Sequence, residues 1–194
     1  MKFIEIIKTA TSFLGLSNEL DILETATPET ENEVLENAEI KKLFHLVKFS
    51  IQELCTNYVP VSKIENVEVS NLKYPLSNLS NYIRLQNVYL NEVAVPFKVI
   101  NRCLTMEHDG IYQVKYSTYP EITSLYEDVK FLAQMGIDVV MFGLCAYYCL
   151  NKGMFEDFKS YHDNYIEKAE SLKDLKCFVL PQRRWEWKQK NTLK

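Results

Sequence analysis

The hydrophobic residues of this chain change period twice. Val34, Leu35, Ala38, Leu43, Phe44, Val47, Ile51 and Leu54 recur at three- and four-residue steps, which predicts one long amphipathic helix over about residues 31–56. Beyond "VPVS" the pattern turns strand-like. "KIENVEV" carries Ile64, Val67 and Val69, and "YIRLQNVYL" and "VAVPFKVI" follow. From "SLYEDVKF" the helical period returns. A helix and a strand bury their apolar residues on incompatible repeats, so each block is committed to its own type. The expected fold class is α+β. It has a mainly helical core, built from the long helix and a C-terminal antiparallel helix hairpin, with an inserted small antiparallel β-unit and an extended C-terminal tail.

The boundaries follow from the same pattern. Residues 1–61 hold N-terminal helices with an acidic loop, 62–120 the β-unit, 121–175 the helix hairpin (one domain with 1–61), and 176–194 an extended basic docking tail. In the first block "FIEIIKTATSFLGL" places Ile4, Ile7, Phe13 and Leu14 on one face of a short helix. The polar run at 17–33, broken by Pro28, is expected to be a mobile loop. The β-unit should contain four or five strands, two of them joined as a hairpin at Asp109-Gly110. With 5 Gly and 6 Pro, few tight turns are expected. A helix over about 126–151 should end on Gly153 as its C′ residue. Phe155, Phe158, Tyr161, Tyr165 and Ala169 give the next helix its apolar stripe, and the short connection makes the two antiparallel neighbours.

At 194 residues, 47% hydrophobic and 25% charged, the chain has the composition of an ordinary globular domain. Its charge is unevenly spread. Residues 1–40 hold nine acidic side chains against Lys2 and Lys8, whereas 173–194 hold seven basic ones against Asp174 and Glu186. An acidic front and a basic end suit contacts between copies, or a tail seeking an acidic or phosphate-bearing partner. Glu5 and Lys8 interrupt the first apolar run, so no secretory leader is expected. Five cysteines, at 55, 103, 145, 149 and 177, have no framework spacing and read as reduced thiols.

"FGLCAYYCLNKG" holds the residues most suggestive of chemistry. Cys145 and Cys149 share a helical face, with His162 further on. Zinc needs four ligands, and Cys177, His162, His108 and His45 stand at no recognised metal spacing. A helix C-terminus is the wrong end to stabilise a thiolate. Both cysteines are therefore expected to act as small apolar residues among Met141, Leu144 and Tyr148. The surrounding stretch 131–150 has the length of a membrane span, but Asp138 inside it costs about 2.5–3.5 kcal/mol on insertion, so no membrane is expected. The chain lacks GxSxG, HExxH and a phosphate-cradling Gly-rich loop. His162 and Asp163 are adjacent and point apart on a helix, so His162 reads as a surface residue. No catalytic residue, metal or cofactor is expected, and the chain is not read as an enzyme. The candidate partner-binding residues lie in "QRRWEWKQK": Arg183, Arg184, Trp185, Trp187 and Lys188. Arg and Trp are enriched among binding hot spots, and basic residues interleaved with aromatics also suit nucleic acid.

The order of these segments carries a resemblance. A long helix exits through "NYVPVS", a β-unit ends in "GIYQVKYSTYPEI", and "FGLCAYYCLNKG" leads into an aromatic-bearing helix and a terminal "RRW". Over roughly residues 40–187 this resembles the head–tail connector (adaptor, or head-completion) proteins of tailed bacteriophages and prophages. The shared patterns are Y-x-P-[LV], G-x-Y-x-V-x-Y-x-x-x-P and YG-x-x-A-x-Y-x-L-x-x-G. The last departs here, opening with Phe142-Gly143. The resemblance implies a structural virion protein in the neck, between capsid and tail, made in the bacterial host cytoplasm. It would join copies of itself into a ring, commonly of twelve subunits, dock to the portal protein, and contact other neck or tail proteins through the β-unit. Genomic DNA would pass through the lumen without sequence-specific binding. The C-terminal segment would then be the portal-docking arm. Competing readings are a cytosolic helical-hairpin protein-interaction or DNA-binding module and, from another class, a small enzyme with a pocket between β-unit and helices.

Overall fold

The computed structural model describes residues 2–128 and 136–177, with side chains through Leu172. The chain folds as α+β, and its apolar residues collect in two clusters, one helical and one between β-sheets.

Helix α1 (Phe3–Phe13) buries Phe3, Ile4, Ile6, Ile7 and Ala10. Phe13 was expected on that face, but it is 56% exposed, while the following Leu14 packs on the core. The acidic segment is ordered rather than a loop. It forms α2 (Ser17–Thr25), a 3₁₀ turn over Pro28–Thr30, and α3 (Glu31–Glu36). Packing outweighs its polar composition: Leu23 is fully buried, Leu16 rests on the helical core, and Pro28 starts a turn at a position that needs no N–H. Thr27 and Thr30 close that turn reciprocally.

The long helix is interrupted once. Asn37 leaves helical geometry at ψ 119°, and its Oδ1 accepts the N–H groups of Glu39 and Ile40 at 3.0 and 3.1 Å. Asn competes well for free backbone donors, so it caps a new helix, α4 (Ala38–Asn57), where apolar spacing alone continues the old one. α4 buries Ile40, Leu43, Phe44, Val47, Ile51 and Leu54.

Seven strands follow, more than the four or five expected, and they form two antiparallel sheets. The larger has order β1 (Val61–Val69), β7 (Gly110–Thr118), β3 (Tyr82–Leu90), β4 (Val93–Val95). The smaller has order β2 (Lys73–Pro75), β6 (Cys103–Thr105), β5 (Lys98–Ile100). Leu104, Val67, Val69, Val88, Tyr112, Val114 and Tyr116 fill the space between them. Asp109-Gly110 closes no hairpin, because β6 and β7 belong to different sheets. Asp109 instead accepts the Leu72 N–H at 2.6 Å and ties the two sheets together. The tight turns are encoded by asparagine. Asn71-Leu72, Asn91-Glu92 and Asn101-Arg102 all have positive φ, the two-residue geometry that matches strand twist. Asn tolerates that region where Gly is the usual choice, so scarce glycine did not mean scarce turns.

The expected helix over 126–151 begins later. Tyr126–Asp128 form a turn and a bridge to Lys2, 129–135 lie outside the described residues, and α5 runs Ile137–Lys152 after Gly136 at φ 77°. Gly153 ends it at φ 74°, and the Gly153 and Met154 N–H groups return to Leu150 and Cys149 carbonyls. α6 (Phe155–Cys177) then packs antiparallel on α5. Its first residue projects beyond the end of α5, so Phe155 is 68% exposed rather than part of the buried stripe. α6 also carries two residues assigned to the tail, Lys176 and Cys177. Among the described residues no helix is long and apolar enough to cross a membrane.

Candidate docking and polar sites

The helix pair α5–α6 meets α4 through an unusually close contact. A Cβ on Gly143 would come within 2.9 Å of the Tyr165 ring and 3.1 Å of Ser50 Oγ. Only glycine lets Tyr165 lie flat against α5 and bury completely. The Tyr165 hydroxyl then donates to Glu53 on α4 at 2.8 Å, and Tyr147 from α5 donates to the same Glu53 Oε2. One carboxylate thus ties three helices. Burial, and then Glu53 itself, push both phenols well above their ordinary range. They hold their protons, which suits hydrogen-bond donors and does not suit general bases.

A second carboxylate repeats the device. Glu39 accepts from Lys152 at 2.8 Å and from Tyr148 at 3.1 Å, joining the start of α4 to the end of α5. The Lys152 hydrogen bond is the largest cause holding the Glu39 carboxyl below its ordinary range. A third, Glu31, accepts the Leu125 N–H at 2.7 Å and the Ser124 hydroxyl at 2.8 Å, pinning the chain that returns from the β-unit. Part of the acidic front is therefore internal scaffolding. Sequence reading missed all three. Glu53 had a detectable signal, since it stands beside Ser50 at the margin of the α4 apolar stripe.

Cys145 and Cys149 are fully buried. Burial, with Cys149 as a smaller cause, pushes the Cys145 thiol up to about 12; burial also raises Cys149. Neither is a thiolate at neutral pH, and they pack as apolar residues. Alkylation of the native protein at pH 8 should leave Cys55, Cys145 and Cys149 unmodified while half-buried Cys103 reacts; peptide mass mapping reads each position separately. His162 is half-buried and stacks on Phe158 with ring centroids 5.0 Å apart, so it is a packing residue rather than a purely surface one. Among the described residues no three His, Cys, Asp or Glu side chains are grouped to hold a metal.

Two clefts bear on ligand binding. The larger, about 820 Å³, lies within the β-unit and is lined by Leu76, Leu79, Tyr82, Val99, Arg102 and Cys103 among others. The smaller, about 280 Å³, lies where α4 meets the exit of the β-unit, at Lys48, Gln52, Asn81 and Tyr119–Ile122. The carboxylate–tyrosine groups line neither cleft. The candidate docking residues Arg183, Arg184, Trp185, Trp187 and Lys188 lie outside the described residues. What is described is their platform, since α6 delivers the chain to them from Cys177. No protein-family model matches this chain, and no curated protein sequence matches it.

Proposed function

We propose that this chain is a head–tail connector of a tailed bacteriophage or prophage, a ring-forming structural protein that docks to the portal through its basic C-terminal segment. The observation that carries the proposal is where the residues of the resemblance fall. Gly143 permits the contact with Tyr165, Ala146 is fully buried in the same helix, and Gly153 makes the turn between α5 and α6. Tyr58 and Val61 at the exit of α4 pack half-buried on the helical cluster, and Tyr112, Val114 and Tyr116 of the strand motif fill the β-unit, whereas Leu150 of the helix motif is exposed. Most residues of these loose patterns therefore fall at positions that define the fold, which supports a shared architecture. The long α6 ends at Cys177, shortly before the Arg- and Trp-bearing residues in the sequence, and Arg and Trp are enriched among binding hot spots. Extended arms that order on binding cover a partner surface without a core of their own. The proposal includes a closed ring with a heterologous interface, location in the virion neck, and no enzymatic activity.

The test is a truncation after Leu175, mixed with the portal protein of the same phage or prophage. The shortened chain should keep the melting profile of the helical core and lose portal association at concentrations where the full chain binds. Undiminished association would move docking elsewhere. If the full chain instead binds duplex DNA with a steep loss between low and moderate salt, the DNA-binding reading replaces this one.

A further inference from the structure

The larger sheet is finished differently at its two edges. β4 closes one edge with only three residues, and Pro96 follows them. β1 forms the other edge with nine residues and, among the described residues, pairs only with β7. An edge strand turns half of its backbone N–H and C=O groups outward, so β1 offers a long template for another strand. Its odd-numbered side chains share the face of buried Val67 and Val69, and its even-numbered ones take the open face. Lys63 and Glu65 form an ion pair on the first face, and both contact the Ser80 hydroxyl. Ile64 stands between them on the open face, 58% exposed.

We propose that β1 pairs antiparallel with β1 of a second copy about a two-fold axis at Ile64, which joins two four-stranded sheets into one. An axis normal to the sheet keeps each face continuous, so every residue must sit opposite one of its own parity. Centring on Lys63 or Glu65 sets like charges against each other, which is destabilising. Centring on Asn66 sets Ile64 against the partner's Glu68. Centring on Ile64 stacks it on the partner's Ile64. Lys63 then faces the partner's Glu65, and Glu65 the partner's Lys63. Signs alternate both along and across the strands, and the outward backbone groups gain partners. The contact is isologous and stops at two copies, whereas a ring needs a head-to-tail contact. It stands apart from the connector proposal and does not depend on it.

Cysteine cross-linking in the full-length protein tests the register. Residues directly opposite in an antiparallel pair have Cβ atoms about 4.5–5.5 Å apart, a separation that a disulfide can close with slight adjustment. Ile64→Cys should therefore form a covalent dimer under mild oxidation about tenfold faster than Asn66→Cys, whose own counterpart lies four positions away along the partner strand. In the Ile64→Cys background, Lys63→Glu should slow cross-linking, and Lys63→Glu with Glu65→Lys should restore it. Thermal melts verify that every variant is folded. Equal rates for the cysteine variants at 64 and 66, or no rescue by the double charge swap, would overturn the pairing.

Discussion

Tyr165→Ala is expected to cost the helical core about 3–5 kcal/mol, read as a lower denaturant midpoint with an unchanged slope. Tyr165 is fully buried, lies against Gly143 on α5, and reaches Glu53 on α4. Truncation removes the ring and leaves a cavity between three helices that converge on it. It also takes one of the two phenol donors from Glu53. Tyr165→Phe separates the two effects. It keeps the ring and should lose only about 1.5–3 kcal/mol, the range for a hydrogen bond to a charged group. If Tyr165→Phe proved as damaging as Tyr165→Ala, the polar tie rather than the packing would hold the helices together.

Tyr116→Ala should be as severe, about 3–5 kcal/mol, but confined to the β-unit. Tyr116 is fully buried between the sheets, beside Tyr82, and its hydroxyl reaches the Ser80 carbonyl at 3.3 Å. It sits on β7, an interior strand paired on both sides, by β1 and β3. Among the described residues the β-unit packs on the helical cluster through few apolar side chains, Val61, Ile83 and Tyr119. Disturbance in one cluster therefore has little to travel through. Hydrogen exchange should show protection falling across β1, β3 and β7 while α4 and α5 stay protected. A uniform loss over both would show a single cooperative unit instead.

The part of this molecule that the sequence disclosed is the part set by local periodicity. Two period switches define where helices give way to strands, and Gly153 ends α5 as its position demanded. Cys145 and Cys149 are buried as their helical face required. What stayed hidden depends on partners distant in sequence. Nothing local says that Leu23 will find the helical core and turn an acidic stretch into helix. Nothing local says that Asn37 will cap rather than continue, since an apolar stripe runs through it unbroken. The turn residues were misjudged because glycine was taken as the marker of left-handed backbone, and asparagine filled that role four times, at 71, 81, 91 and 101. Glu31 and Glu39 entered only as part of the acidic front, and Glu53 carried no expectation at all. Each is defined by a partner more than ninety positions away. The proposed docking segment was legible only as composition: two arginines and two tryptophans in a basic run.

The connector role rests most directly on one assembly. Electron microscopy of the full-length protein mixed with the portal of the same phage or prophage should reveal a closed ring seated on the portal, of about twelve copies if the cyclic symmetry matches. Density for the C-terminal segment should enter the portal. A folded protein that stays unassociated with the portal at micromolar concentration would contradict the role outright.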